Sequence, residues 1–410
     1  MVLHSVGAWN FYGAMLSVGG CSSIEVGELS LSANSEWRSR GWKCQVRETF
    51  SLDSSLLREE NPYSESEENL FMLGSLSLRN GQLYSSSSTV IELDSSTEGL
   101  SLREQSELIS AGNMKIIAPL SLSIEESNCM SSGELSMHTE REIQLSSRGR
   151  LRGQRALTLS CEKLNTSGEI ASEGMVALRY QKIFIQHAPG NIRSLEKILL
   201  ESQSIQNNSV IFADRGLVEI SFGKHCRNLN AIGALEGVRV QTESGNFQNG
   251  EQASLSTQGE CTLLLGMQEE EDLSYRELNQ SPFVNRGTVA GYKRVCICAN
   301  GNARNRGHLL SLGPLKVFCS SQFFQEGTIE ASGLLTLHNY LLRNLGQITY
   351  RGESLFSFHT ISNGSIEKNA FIQSEGDLTL HAGTYFGNFQ SDLFVVGDLT
   401  LDADDQRGDI

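Results

Sequence analysis

The stretch that decides the fold reads NRGTVAGYKRVCICA from Asn285 to Ala299, NRGHLLSLGPLKVFC from Asn305 to Cys319, and QEGTIEASGLLTLHN from Gln325 to Asn339. Set one above another, these segments place Gly287, Gly307 and Gly327 in one column, 20 residues apart. The column runs on to Gly346 and Gly364. Two places after each glycine stands an apolar residue, in turn Val289, Leu309, Ile329, Ile348 and Ile366. A second glycine column follows at Gly291, Gly313, Gly333 and Gly352, with Gly313 two places late. Then come the pairs Val295 and Ile297, Leu315 and Val317, Leu335 and Leu337, interleaved with polar residues such as Lys316 and Thr336. Alternation of this kind marks strands with one buried and one wet face.

One such unit cannot bury its apolar face alone, whereas stacked copies bury a continuous ladder. The spacing therefore predicts an all-β, right-handed, single-stranded parallel β-helix with coils of about 20 residues. The hand follows from the preference for right-handed crossovers between parallel strands. Each unit is read as strand, turn, strand, turn, with the glycines supplying turns that need φ > 0. An elongated particle with open strand edges, able to associate end to end, is the corollary.

The same grammar extends upstream in SGEIASEGMVALR (Gly168, Ile170, Gly174, Val176), SGELSMHTEREIQLSS (Gly133, Leu135, Met137) and VGELSLSANS (Gly27, Leu29, Leu31). Residues 1–160 read as weakly periodic coils, 160–400 as regular coils, and 401–410 as a polar tail, without a domain boundary. Two segments break the rhythm: the acidic 58–69, which contains Pro62, and 267–281, MQEEEDLSYRELNQS. The first reads as a loop ejected from a coil, the second as a short helical turn or a protruding loop.

Composition agrees. Of 410 residues 39 are Gly and 5 Pro, a balance that suits turns and strands over helices. The net charge of −15 argues against a nucleic-acid partner, which needs clustered Lys and Arg. Arg148, Arg150, Arg152 and Arg155 form one small basic group, expected on the outer side of a strand. The nine cysteines are scattered, with no CxxC pair and no His at ligand spacing, so neither a zinc site nor a disulfide framework is expected. No run of about 20 apolar residues predicts a membrane-spanning segment. The apolar first 20 residues lack the early Lys or Arg of a signal peptide, which suggests a chain that starts inside a repeat array.

The unit N-x-G-x-I-x-A-x-G-x-V-x-L-x-A resembles the haemagglutinin repeat of filamentous haemagglutinin-like exoproteins. Asn285, Gly287, Val289, Gly291, Val295, Ile297 and Ala299 look like one copy. Gln325, Gly327, Ile329, Ala331, Gly333, Leu335 and Leu337 look like another, and Asn165, Gly168, Ile170, Gly174, Val176 and Leu178 like a third. The resemblance covers residues 160–400. It implies a secreted, cell-surface bacterial adhesin or the stalk of a contact-dependent toxin, exported by two-partner secretion through an outer-membrane transporter. The chain departs from that family in its nine cysteines and in showing neither a secretion signal nor a toxin-like carboxy terminus.

Parallel β-helices also include polysaccharide lyases and hydrolases, whose sites need acidic pairs, or an acid beside Lys or Arg, on neighbouring coils. Asp214 with Arg215, Glu236 with Glu260, and the group Asp392, Asp398 and Asp402 are the nearest approaches, and none makes a convincing set. The residues thus predict no catalytic, cofactor-binding or metal site. Tyr292, Phe318, Phe324 and Tyr385 are the candidate contacts for a host-surface glycan or protein. Cys296 and Cys298 are expected on outward columns as an exposed dithiol, its Cα separation of about 6.5–7 Å poorly suited to a disulfide. His308 and His338 are expected to point outward, and Arg407-Gly408-Asp409 spells an integrin-type tripeptide.

Overall fold

The computed structural model describes residues 1–18, 21–59, 68–94, 99–266, 283–365 and 368–403. These residues form parallel strands and no helix, stacked in about 18 coils of roughly 21 residues, a β-solenoid. The chain divides into two compact units, Met1–Leu199 and Leu200–Ile410. No described helix is long and apolar enough to cross a membrane.

Each coil has three flat runs, not the two expected. In the second unit the strand Leu315–Gln325 changes register between Cys319 and Gln322, so its two halves lie on different faces, and Thr328–Ala331 forms the third. One coil earlier the bend separates three strands outright: Arg294–Ala299, Ala303–Asn305 and His308–Ser311. The first unit repeats the plan, as in Met114–Ala118, Leu122–Ile124 and Asn128–Ser131.

Alternation then decides what is inside. On the second face of the first unit, Phe50, Leu76, Leu100, Leu122, Ile143 and Leu164 follow one another in register, and all are buried. On the third face of the second unit the column is Leu255, Val289, Leu309, Ile329, Ile348 and Ile372. Each such side chain contributes about 1.5–3 kcal/mol by leaving water. The column passes through Ile372 to Leu393; Ile366, expected in it, lies outside the described residues. Gly364 likewise belongs elsewhere: it pairs with Phe389 at the end of the strand Ser354–Gly364.

The glycine columns are also corrected. Gly287, Gly307, Gly327 and Gly346 do not have positive φ. They are required because the coils touch there: a Cβ on Gly307 would sit 2.0 Å from the carbonyl oxygen of Gly287, and one on Gly327 2.0 Å from that of Gly307. Gly291 is not in the column of Gly313, since it pairs with Ser311 inside the third face. The residue beneath Gly313 is Lys293, whose carbonyl oxygen a Cβ would meet at 2.0 Å. The apparent two-residue lag at Gly313 therefore disappears.

The asparagine preceding each glycine has a role that the repeat motif did not show. At the inner end of the second face, Asn207, Asn228, Asn249, Asn285, Asn305 and Gln325 stack in one buried ladder. Each amide donates to the side-chain oxygen of the next: 2.8 Å from Asn207 to Asn228, 2.9 Å to Asn249, 2.9 Å to Asn285, 2.8 Å to Asn305 and 2.8 Å to Gln325. The other amide hydrogen turns to a carbonyl of the neighbouring coil, as from Asn285 to His308 at 3.1 Å. The ladder resumes from Asn344 to Asn363 at 2.8 Å and on to Asn388 at 2.7 Å. Buried polar groups must be paired, and identical amides one coil apart pair one another. On the third face of the first unit buried serine hydroxyls are paired across coils. Ser110 donates to the carbonyl of Ser87 at 2.7 Å, and Ser131 to that of Gly112 at 2.7 Å.

Candidate functional site

With the interior committed to stacking, the side chains available for recognition are those that alternation turns outward. The first face of the second unit presents the two parallel columns Cys296, Lys316, Thr336 and Cys298, Phe318, His338. Next to them, where this face bends into the second, stand Tyr340 and His359. Their rings are stacked 4.7 Å apart at 16°. Phe318 and His338 form a second stacked pair, at 4.9 Å and 13°, and the Lys316 ammonium lies 5.6 Å from the Phe318 ring. Half-burial, together with the nearby charges of Lys316 and His381, lowers the pKa of His338 below its ordinary value. Parallel stacking at the coil spacing is what in-register aromatic residues on one column produce.

The structure does not gather the four candidate contact residues into one site. Tyr292 is 58% exposed in the turn before Arg294–Ala299, and Phe318 is half-buried on the first face. Phe324 faces outward on the second face, where the Arg304 guanidinium covers its ring at 5.6 Å. Tyr385 is 44% exposed beside Thr360, three coils further along. Tyr340, which the repeat reading passed over because it falls at the bend, is equally exposed and stands nearer Phe318 and His338. Its signal in the sequence is the spacing His338-x-Tyr340 at the end of an alternating run.

Cys296 and Cys298 do lie in outward columns beside Lys316 and Phe318, but they are not exposed. Both are buried, in a cluster with Leu264 against which Phe318 packs, and their sulfurs are 3.8 Å apart. Cys44, Cys129, Cys161, Cys226, Cys261 and Cys319 face the interior, where burial pushes every thiol pKa up, to about 12 for Cys44, Cys161, Cys261 and Cys319. Cys21 is exposed.

Charged groups on the outer faces are arranged in pairs. Arg148 meets Glu126 at 3.4 Å, Arg150 meets Glu169 at 3.5 Å and Arg152 meets Glu173 at 3.1 Å. The basic group is thus interleaved with acids one coil away. Glu326 accepts from Arg304 at 2.6 Å and Arg306 at 2.9 Å. Burial works to raise its carboxyl, but the two guanidinium hydrogen bonds outweigh that and hold its pKa below the ordinary value.

Of the acidic residues considered for catalysis, those of the Asp214-Arg215 turn, Glu236 and Glu260 fall at one corner of successive coils. There the Glu236 N–H donates to the Gly216 carbonyl at 3.0 Å and the Glu260 N–H to the Glu236 carbonyl at 3.3 Å, whereas Asp392, Asp398 and Asp402 lie on later coils. Glu236 lies in a turn and Glu260 begins the strand Glu260–Leu265, beside Arg294 of the next coil. Asp392 begins a third-face strand, Asp398 lies in a turn, and Asp402 pairs with His381 at 3.2 Å on the first face. Asp214 and Arg215 occupy the turn after Val210–Ala213. His308 is exposed, with Nδ1 2.8 Å from the Thr328 hydroxyl. Among the described residues no group of three or more His, Cys, Asp or Glu could hold a metal ion. The tripeptide Arg407-Gly408-Asp409 and the whole of 267–281 lie outside the described residues.

One buried carboxylate escaped the sequence reading. The segment 58–69 was expected to be loop, yet Arg58 and Glu59 end the strand Leu56–Glu59, and Asn69 opens Asn69–Arg79; residues 60–67 lie outside the described residues. Glu59 takes a place in the inward serine column and is only 2% exposed. It accepts from the Asn69 amide at 2.7 Å, the Ser85 hydroxyl at 2.9 Å, the Ser86 and Ser87 backbone N–H groups at 2.9 and 3.2 Å, and the Ser87 hydroxyl at 3.0 Å. Replacing Glu59 with alanine strands these donors, at a cost of about 2–4 kcal/mol. Chemical denaturation of the variant checks this, and an unchanged midpoint would mean the donors find other acceptors.

Comparison with protein-family models, curated proteins and solved structures finds no match.

Proposed function

We propose that this β-solenoid is a non-catalytic adhesive scaffold displayed at the cell exterior, holding an aromatic outer strip against a glycan or protein of a host surface. The resemblance of residues 160–400 to haemagglutinin repeats supports adhesion and export through a partner outer-membrane transporter. The observation that carries the reading is the division of labour within each coil. Inward columns are filled by aliphatic side chains and amide ladders, and two outward columns each carry one ring pair stacked at the coil spacing, Phe318 with His338 and Tyr340 with His359. A rigid surface with a short repeat suits a polymeric ligand better than a small substrate, because it can meet successive units of a chain at once.

The test is to incubate the purified chain with neutral and polyanionic glycans, measuring both retention and chain length of the glycan. Retention without shortening, reduced in the Tyr340→Ala variant, is expected. Progressive shortening of any glycan would replace this reading with a carbohydrate-active enzyme.

A further inference from the structure

We propose, on the basis of the adhesive reading of this strip, that Ser357, His338, His359 and His381 hold the carboxylate of an acidic, uronate-bearing polysaccharide. Phe318, His338, Ser357, His381 and Asp402 follow one another in register on successive coils, all in one outward column. Serine is the smallest of the five, so it leaves a notch between the imidazoles of His338 and His381. Those two residues stand two coils apart, about 9.6 Å at the backbone. His359, exposed and stacked on Tyr340, is the next outward residue after Ser357 on the strand Ser354–Gly364. The Ser357 hydroxyl has no hydrogen-bond partner among the described residues, which leaves its donor for a ligand in the notch.

Elsewhere on this unit outward cations are neutralised by acids of a neighbouring coil: Arg304 and Arg306 share Glu326, and Arg351 meets Glu375 at 3.5 Å. Around the notch the balance differs. From the strand Leu315–Gln325 to Leu399–Ala403, the charged or titratable residues turned outward on this face are Lys316, His338, Tyr340, His359, His381 and Asp402. Lys316 lies against the Phe318 ring and has no carboxylate partner among the described residues. Asp402 meets His381 at 3.2 Å. With neutral imidazoles Lys316 and Asp402 cancel, whereas protonation of the three histidines leaves a positive strip on a chain of net charge −15. An anion prefers the protonated form, and histidine ordinarily takes up its proton near pH 6.5. Burial and the positive neighbours Lys316 and His381 lower the pKa of His338, and a bound carboxylate acts in the opposite direction. Affinity should therefore rise as pH falls, while a uronate, with an ordinary carboxyl pKa of about 4, stays ionised.

The experiment measures retention of the full chain on immobilised hyaluronate, which carries a carboxylate on alternate sugars, and on the same polymer with its carboxyls methyl-esterified. Both are run at constant salt at about pH 5.5 and about pH 8, either side of the histidine range. Binding about tenfold tighter at the lower pH, on the acidic polymer alone, is expected. His338→Gln and His381→Gln should each remove most of that difference, whereas His308→Gln, at an exposed position on the third face, should keep it. Three results overturn the carboxylate site and leave adhesion standing: equal retention of hyaluronate at both pH values, equal retention of the ester, or a full pH difference in the His338→Gln/His381→Gln double variant. So does failure to retain hyaluronate when a neutral glycan is retained. Retention of no glycan at either pH overturns the glycan-adhesive reading as well.

Discussion

Alanine at Gly327 should destabilise the second unit by about 3 kcal/mol or more, the upper range for forcing volume into a closed contact. The added Cβ would lie 2.0 Å from the carbonyl oxygen of Gly307, and backbone cannot rotate away as a side chain can. Relief requires separating two coils, which breaks hydrogen bonds such as that from Thr328 N–H to Gly307 carbonyl at 2.8 Å. The effect should be specific to the contact. Gly7, where a Cβ finds its nearest neighbour at 3.8 Å, serves as the control and should tolerate alanine. Thermal denaturation of both variants decides the matter. Equal midpoints would show that the coils can part at that corner without loss.

Alanine at Asn285 should cost about 3–5 kcal/mol, because several buried partners lose their complement together at about 1–3 kcal/mol each. The Asn249 amide loses its acceptor at 2.9 Å, the Asn305 oxygen loses its donor at 2.8 Å, and the His308 carbonyl loses a donor at 3.1 Å. A solenoid's stability is a sum of coil and neighbour terms, so the damage should be local at first. Hydrogen exchange is the discriminating measurement. Amides of residues 246–249, 283–285 and 303–305 should lose protection, while Leu122 and Ile143 in the first unit keep theirs. Uniform loss across both units would contradict a local ladder.

These two sites show where sequence reading stops. Val289, Leu309, Ile329 and Ile348 were legible as one column because apolar residues recurring at a fixed interval have no other use. The second run of the coil was not, since Phe323–Gln325 offers one inward aromatic residue and one inward amide, too little to read as a strand. The motif glycine-x-apolar also fails to say which corner it serves. Gly27 and Leu29 lead into the second face, Gly133 and Leu135 into the first, and Gly81 and Leu83 into the third. At Cys296 and Cys298 the outward direction was readable, whereas their burial depends on neighbours brought alongside by other coils.

By itself the sequence determined the parallel stack, its period and most of its inward columns. Those follow from alternation and repetition along one chain, which a linear text records in full. Only the tertiary structure decided that Gly307 and Gly327 serve close approach and not a left-handed turn, that Asn285 and Asn305 join in one buried ladder, and that Glu59 lies inside. Each of those depends on the gap between atoms about 20 residues apart, and such gaps exist only once the coils rest on one another.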